Sequence, residues 1–311
     1  MTLNQLKYAL ALQKHGSFKK TAEKLSLSQP GLSLQIQKLE DDIGLILFDR
    51  SSSPVKVTSD GAVFLMRAEE IVVSANDLRQ FTTRHRNDYS GRIVLGAIPT
   101  LAPFLIPLFA EDLQQDHPGL KLDIHEMTTE LVIGGVRNGE LDAGLISTPV
   151  NLFGIETIPL FYEKFYIYSP GTNEKKTEIR LKDINYKKLW LLNEGNCFRD
   201  QVNNFCDLKE IRKDKDFVYR SNSIDALVRI VDSKGGMTIL PELTTLSLAL
   251  DQEQNISPIP GKAREIGLVL RKNYDKQRFI LKLEEYIKKS IPKKMLSSQG
   301  MEIVDPGIRN R

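Results

Sequence analysis

The sequence predicts an α/β protein in three parts: a small helical unit, one long helix, and a two-lobed unit of strands and helices. Three observations point there. Helix caps and apolar spacing outline three short helices and a ribbon before Thr58. Apolar residues then recur at three- and four-residue steps through one long helix. From Gly91 onward short strands alternate with helices, the pattern of a mostly parallel sheet. The expected units are residues 1–58, a linker helix at 59–90, and an α/β unit at 91–292. Within the last, lobe I spans 91–163 and 267–292, and lobe II spans 164–266. Residues 293–311 mix Ser, Gln, Gly, Pro and charges without periodicity and are expected to be disordered.

A length of 311 residues is enough for two or three units with a proper core. The apolar content of 41% and charged content of 27% are those of a soluble globular protein. A net charge of +3 is compatible with a nucleic-acid partner without arguing for one, since strongly basic binders exceed it. The first apolar stretch is broken by Lys7 and Gln13, with no cleavage-type motif after it, so the expected compartment is the cytoplasm. No run approaches the length of a membrane span; Phe104 to Ala110 is short and holds Pro107.

Thr2-Leu3-Asn4-Gln5 fits a capping box ahead of a helix to about Lys14, ended by His15-Gly16. Ser17 caps a second helix, Phe18 to Lys24, with Ala22 as the small residue facing a partner. Leu25-Ser26-Leu27 is the turn, Ser28 the next N-cap, and Pro30 sits where its missing N–H costs nothing. The third helix buries Leu32, Ile36, Leu39 and Ile43 and shows Gln29, Ser33, Leu34 and Gln37 on its other face. A short helix, a tight turn and a longer helix with a polar N-terminal face form the helix-turn-helix pattern, whose second helix enters the major groove. Gln29 and Ser33 are of the types that read base edges. Arg50 to Thr58 follows as a ribbon, with Arg50 and Lys56 placed to touch phosphates. The same spacing also fits a plain three-helix bundle with solvated polar faces.

Thr58-Ser59-Asp60 opens the long helix, which continues to about Arg86. Leu65, Ala68, Val72 and Ala75, with Phe64, Ile71 and Leu78 alongside, make an apolar surface that suits pairing with a twin helix. Packing on its own domain is the alternative. Ile93 to Ala97, Leu120 to His125 and Leu141 to Ser147 read as strands, Phe104 to Gln115 and Thr129 to Asn138 as helices. Pro159 to Tyr168 and Glu265 to Arg271 read as two strands that carry the chain between lobes. Ile224, Leu227, Val228 and Val231 form a stripe at helical spacing, which suits either a dimer contact, together with the helix at about Leu105 to Gln115, or ordinary core.

Cys197 and Cys206 are the two cysteines of the chain. Asn196 is a good N-cap, which puts Cys197 at the first helical position, where the backbone dipole favours an anion. Arg199 adds a positive charge, and both push a thiol toward the thiolate. Nine helical residues separate the two Cα atoms by roughly 13.5 Å, against the ~7 Å a disulfide tolerates. Bridging them would mean unwinding the helix, the behaviour of a switch. The bland alternative is a pair of small buried hydrophobes. Zinc does not fit, because the spacing is wrong and His15, His85, His117 and His125 lie far off in sequence.

Two sets of residues carry a family resemblance. The first is Ser17-Phe18-(x)3-Ala22-Glu23-(x)-Leu25-(x)2-Ser28-Gln29-Pro30-(x)-Leu32-Ser33-(x)-Gln35-Ile36-(x)2-Leu39-Glu40, with Gly44-(x)2-Leu47-Phe48-(x)-Arg50. It resembles the winged helix-turn-helix of LysR-type transcriptional regulators. The resemblance implies double-stranded DNA as partner, read by Ser28, Gln29, Pro30, Ser33, Gln37, Arg50 and Lys56. It also implies a dimerising linker helix, a dimer of dimers, RNA polymerase as a further partner, and a two-lobed, periplasmic-binding-protein-like effector domain. Leu34 departs from the pattern, in which that position is often basic.

The second set is Glu194-Gly195-Asn196-Cys197-Phe198-Arg199-Asp200-Gln201 with Cys206, Ala97-Ile98-Pro99-Thr100 and His125-Glu126-Met127-Thr128-Thr129. It resembles the peroxide-sensing OxyR branch of that family. The resemblance implies Cys197 as the residue hydrogen peroxide oxidises and Cys206 as the one that resolves it to a disulfide. Thr100, Thr129, Asn196, Arg199, Asp200 and Arg264 are then peroxide-binding or thiolate-stabilising. Both threonines also suit helix N-caps. Asn196 stands where the branch usually has histidine; it can hydrogen-bond but cannot carry charge. No metal or cofactor is implied, and no enzymatic turnover. A regulator answering to a small metabolite between the lobes, with inert cysteines, is the alternative; a thiol peroxidase would need no helix-turn-helix.

Overall fold

In the computed structural model, the first helix, α1 (Leu3–His15), starts at the expected capping box: the Thr2 hydroxyl accepts from the Gln5 N–H, and the Gln5 side chain accepts from the Thr2 N–H. Gly16 closes it in the left-handed conformation. Ser17 caps α2 (Phe18–Lys24) and Ser28 caps α3 (Gln29–Ile43). The structure describes residues 1–52, 54–81, 91–170, 179, 184–185, 188–193, 195–205, 219, 221–272, 274 and 277–308. The chain divides into two units, residues 1–87 and 88–311.

In the first unit Leu6, Ala9, Leu12, Ala22, Leu32, Ile36 and Leu39 form the core. A two-strand ribbon follows, β1 (Phe48–Asp49) antiparallel to β2 (Lys56–Val57). Glu40 ties the ribbon to α3: one carboxylate oxygen accepts from the Leu47 and Phe48 N–H groups at 2.8 and 3.1 Å, the other from Arg50 at 2.7 Å. The linker helix α4 (Ser59–Phe81) follows. Its Leu65, Ala68 and Val72 pack into the helical unit's own core. Val63, Met66 and Ile71, 62%, 44% and 49% exposed, are what the helix leaves open. Leu78 and Arg86 lie outside the residues whose side chains are described.

The second unit alternates as expected: β3 (Gly91–Ala97), α5 (Ala102–Asp116), β4 (Leu120–Glu126), α6 (Thr129–Arg137), β5 (Ala143–Thr148) and β6 (Ile155–Tyr168). Then come β7 (Leu189–Trp190), α7 (Cys197–Phe205), α8 (Ile224–Lys234), β8 (Met237–Pro241), the single turns α9 (Glu242–Thr245) and α10 (Leu250–Glu253), β9 (Ile256–Arg271) and α11 (Gln277–Ser290). The sheet order is β4-β3-β5-β9-β6-β8-β7. It is mixed and not mostly parallel, because β9 returns antiparallel to both β5 and β6. β6 and β9 are the expected connectors, and each feeds one core on either side of the crossing: Phe161, Ile266 and Leu268 in lobe I, Phe165, Ile167 and Ile259 in lobe II.

One open alternative is decided here and one expectation is overturned. Ile224, Leu227, Val228 and Val231 are buried in lobe II's core, so that stripe is not free for a second copy. Residues 293–308 are ordered: a 3-10 turn at Lys293–Leu296 precedes β10 (Glu302–Ile303), which pairs parallel with β9. Met295, Val304 and Ile308 bury apolar side chains at irregular spacing, which a search for periodicity passes over.

Gly61 marks a close approach in the first unit. Its N–H donates to the Thr58 hydroxyl at 2.9 Å, and a Cβ there would stand 2.4 Å from the Leu47 carbonyl oxygen. Gly61→Ala is expected to cost about 1–3 kcal/mol, read as a lower urea midpoint for the helical unit. An unchanged midpoint would refute the contact.

Candidate redox site

The start of α7 is built as its sequence asks. Gly195 takes a φ of 83°, and the Asn196 side-chain oxygen accepts from the Phe198 N–H at 3.0 Å. Cys197 and Phe198 then go to different places: Cys197, 5% exposed, joins the core of lobe I, and Phe198, 2% exposed, joins that of lobe II. The sulfur therefore sits on the seam between lobes. Phe165 holds α7 at both ends, stacking on Phe198 at 5.6 Å and meeting Phe205 edge-on at 4.8 Å.

Thr129, at the start of α6, and Ser147, on β5, hydrogen-bond Cys197. The cation facing it is Arg264. Register explains its placement, since Arg264 on β9 is directly opposite Glu163 on β6. The two form an ion pair at 2.6 Å with both side chains wholly buried. Arg264 also donates to the Thr100 hydroxyl at 3.0 Å and the Thr100 carbonyl at 3.2 Å, and lies 5.1 Å from the Phe198 ring centre. Glu163 accepts in addition from the Leu243 N–H, at the start of α9, at 2.8 Å.

Burial dominates the sulfur's acidity and pushes the Cys197 thiol above its ordinary value. The hydrogen bond with Thr129, the Arg264 charge and the hydrogen bond with Ser147 pull the other way, and Asp200 adds to the rise. Burial thus works against the push toward a thiolate that is expected from the start of the helix. Arg199 donates to the Leu192 carbonyl at 2.8 Å. Burial likewise raises the Glu163 carboxyl, against the pull of Arg264.

Of the residues expected here, Thr129, Asp200 and Arg264 act on Cys197, and Thr100 joins through Arg264. Neither threonine caps a helix: the caps are Leu101 and Thr128, without side-chain bonds, so the threonine hydroxyls stay with the site. The Asn196 side-chain oxygen is occupied by the cap. Cys206 and Glu194 lie outside the described residues. Sequence reading missed Ser147, Glu163 and Gln201. The signal was there for the first two, as polar residues inside strands otherwise fit for burial. Among the described residues no three His, Cys, Asp or Glu side chains could hold a metal ion, and no helix is long and apolar enough to cross a membrane.

In the first unit Ser28, Gln29, Pro30, Gln37 and Lys56 are exposed and Ser33 is half-buried. Arg50 is already engaged, ion-paired with Glu40 at 2.7 Å and lying over the Phe18 ring at 5.5 Å.

Comparison with known proteins fits both units. The family described as "Bacterial regulatory helix-turn-helix protein, lysR family" matches residues 3–62, and "LysR substrate binding domain" matches residues 86–291. The chain belongs to the LysR family of transcriptional regulators. It is 31% identical over 280 residues to a "Hydrogen peroxide-inducible genes activator" of Dickeya chrysanthemi, covering 87% of this chain and 90% of that one. It is 30% identical over 280 residues, with the same coverage, to the "DNA-binding transcriptional dual regulator OxyR" of Escherichia coli K12. Among solved structures it resembles a full-length OxyR variant from Pseudomonas aeruginosa, at 30% identity and TM-score 0.69, over 94% of this chain and 99% of that one. OxyR from Porphyromonas gingivalis matches at 29% identity and TM-score 0.64, over 69% and 100%. For this LysR-family regulator the mixed α/β unit is therefore the effector domain and α3 the helix of the DNA-binding domain.

The raised acidity constant of Cys197 sets a pH dependence. In the reduced protein its alkylation by iodoacetamide is expected to be slow at neutral pH and to keep rising beyond the ordinary thiol range. Because the folded value lies above the unfolded one, stability is full below the unfolded value and falls as pH rises through the folded one. An alkylation rate already level at neutral pH would mean that a thiolate rests there.

Proposed function

We propose that the protein is a peroxide-responsive transcriptional regulator whose sensor is Cys197. The observation that carries this reading is the buried sulfur on the seam between lobes, with Thr129, Ser147 and Arg264 gathered around it. The names of its relatives, hydrogen peroxide-inducible activators, support it. Cys197 attacks one oxygen of hydrogen peroxide and the O–O bond breaks. The departing hydroxide takes up the thiol proton as water, leaving a sulfenic acid. The thiol of Cys206 then attacks that sulfur, a second water leaves, and a disulfide closes. Arg264 and the Thr129 and Ser147 hydroxyls, which act on the sulfur, are the groups available to steady the charge on the departing oxygen.

Bridging the two cysteines requires α7 to unwind, and the change passes to the DNA-binding unit. Such a regulator works where the DNA is, in the cytoplasm, as a dimer of dimers that signals to RNA polymerase. Its contacts to double-stranded DNA come from the exposed start of α3, namely Ser28, Gln29, Pro30, Ser33 and Gln37, with Lys56 on a phosphate. Arg50 is the revised member of the set: Glu40 fixes it at the base of the ribbon, so it presents a positioned and not a mobile charge.

Two experiments test this. Cys197→Ser is expected to abolish the peroxide-triggered change in DNA binding, while Cys206→Ser still gives a dimedone adduct at Cys197 but no intramolecular disulfide. An adduct in Cys197→Ser and none in Cys206→Ser would reverse the roles. For the DNA face, Gln29→Ala should cost about 1–3 kcal/mol of specific binding and leave non-specific binding nearly intact. Operator affinity unchanged by that substitution would count against the assignment.

A further inference from the structure

The segment after α11 grips the helix that carries Cys197. It crosses both lobes: Met295 is buried in the core of lobe I, Val304 in that of lobe II, and Ile308 packs back against lobe I. β10 lies beside β9, Ile303 opposite Ala263, one residue before Arg264, and the Val304 N–H donates to the Ala263 carbonyl at 2.8 Å. Lys262 pairs with Glu302 at 2.6 Å at the start of that contact. From this seat two backbone carbonyls meet α7. The Val304 carbonyl accepts from the Gln201 side chain at 2.8 Å, and the Asp305 carbonyl accepts from the Asn204 side chain at 2.9 Å. Gln201 is wholly buried, and its oxygen accepts from the Ser147 hydroxyl at 3.3 Å. That is the same hydroxyl that hydrogen-bonds Cys197. The family's effector-domain match ends at residue 291, so this segment lies beyond it.

We propose that residues 297–308 form a strap that holds α7 folded in the reduced protein and thereby sets how readily Cys197 and Cys206 can be bridged. The idea rests on the peroxide-sensor reading above. α7 holds Phe205, the residue before Cys206, roughly 12 Å from Cys197, so the two cysteines cannot bond until that helix opens, since a disulfide spans at most ~7 Å between Cα atoms. Opening α7 pulls Gln201 and Asn204 off their carbonyls. The Gln201 bond is buried, so its loss is not made good by water and carries a full desolvation cost. A helix as short as Cys197–Phe205 does not hold itself together in water, and tertiary contacts must do so. The strap is one such contact, and it bears on the middle and the end of α7 alike. It takes no part in the bond changes; it alters only the fraction of time that α7 is open.

The test uses four reduced proteins: the full chain, a chain ended after Ser298, full-length Asn204→Asp, and Asn203→Asp as control. The control carries the same new charge at the same end of α7 without facing the strap. Amide hydrogen exchange reads α7 opening, and disulfide formation is timed with hydrogen peroxide and, separately, with diamide. The shortened chain is expected to exchange at α7 about tenfold faster, the scale of one lost buried hydrogen bond, and Asn204→Asp, whose bond is exposed, about threefold faster; both are expected to bridge faster with diamide. Asn203→Asp should match the full chain. Unchanged α7 exchange overturns the strap, and so does faster exchange without faster bridging by either oxidant. If the shortened chain loses protection across β3 to β5 and has not folded, Asn204→Asp decides. If α7 loosens and diamide bridges faster while peroxide leaves Cys197 reduced, the strap stands and the peroxide reading falls.

Discussion

The buried ion pair between Glu163 and Arg264 is the interaction on which the effector unit depends. Taking two charges wholly out of water costs several kcal/mol per ion, and the attraction between them recovers that cost only with good geometry and satisfied hydrogen bonds. The structure supplies both. The β6–β9 register puts the partners face to face, and the remaining donors and acceptors go to Thr100, Leu243 and the face of Phe198. Those contacts reach the end of β3, the start of α9 and the start of α7. Losing either partner would leave a lone buried charge, a change worth about 3–5 kcal/mol, and would release all three elements together.

The same pair bears on the chemistry of the sulfur. A buried arginine beside a thiol would ordinarily stabilise the thiolate strongly, yet the Cys197 thiol is pushed up. Burial is the reason. It outweighs the pull of an Arg264 that is also paired with Glu163. The lobe seam thus sets burial, which favours the neutral thiol, against polar neighbours that favour the anion. Its polar neighbours can respond to charge as it develops, which is where electrostatic preorganisation is most effective.

Most of this was legible from local signals. Thr2, Ser17, Ser28 and Asn196 cap the helices that the sequence assigned to them, because capping is a contest between neighbouring groups only. The alternation from Gly91 onward gave the strands and helices of the α/β unit for the same reason. What failed were claims that depend on what a residue meets in space. Arg199 is near Cys197 in sequence and bonds the Leu192 carbonyl, whereas Arg264, 67 positions on, is the cation that pulls most on the sulfur. The stripes of α4 and α8 were correctly apolar, but periodicity says that a face is buried and not by whom: the α8 stripe faces lobe II's own core, and Leu65, Ala68 and Val72 of α4 face the helical unit's. Residues 293–308 have no period at all, and their order comes from three apolar side chains settling against surfaces made elsewhere in the fold.

Asn196 ties these threads together. A histidine at that place would bring a group that titrates near neutral pH within reach of the sulfur. Asparagine commits its oxygen to the Phe198 N–H instead, and so fixes the residue that stacks on Phe165 and lies beside Arg264. The cap therefore acts on position and not on proton transfer. The groups that set the sulfur's acidity are then a hydroxyl on each of α6 and β5, a guanidinium that is always charged, and the exposed carboxylate of Asp200. Burial is what outweighs the pull of those neighbours, and the folded state of α7 decides what that thiol can reach.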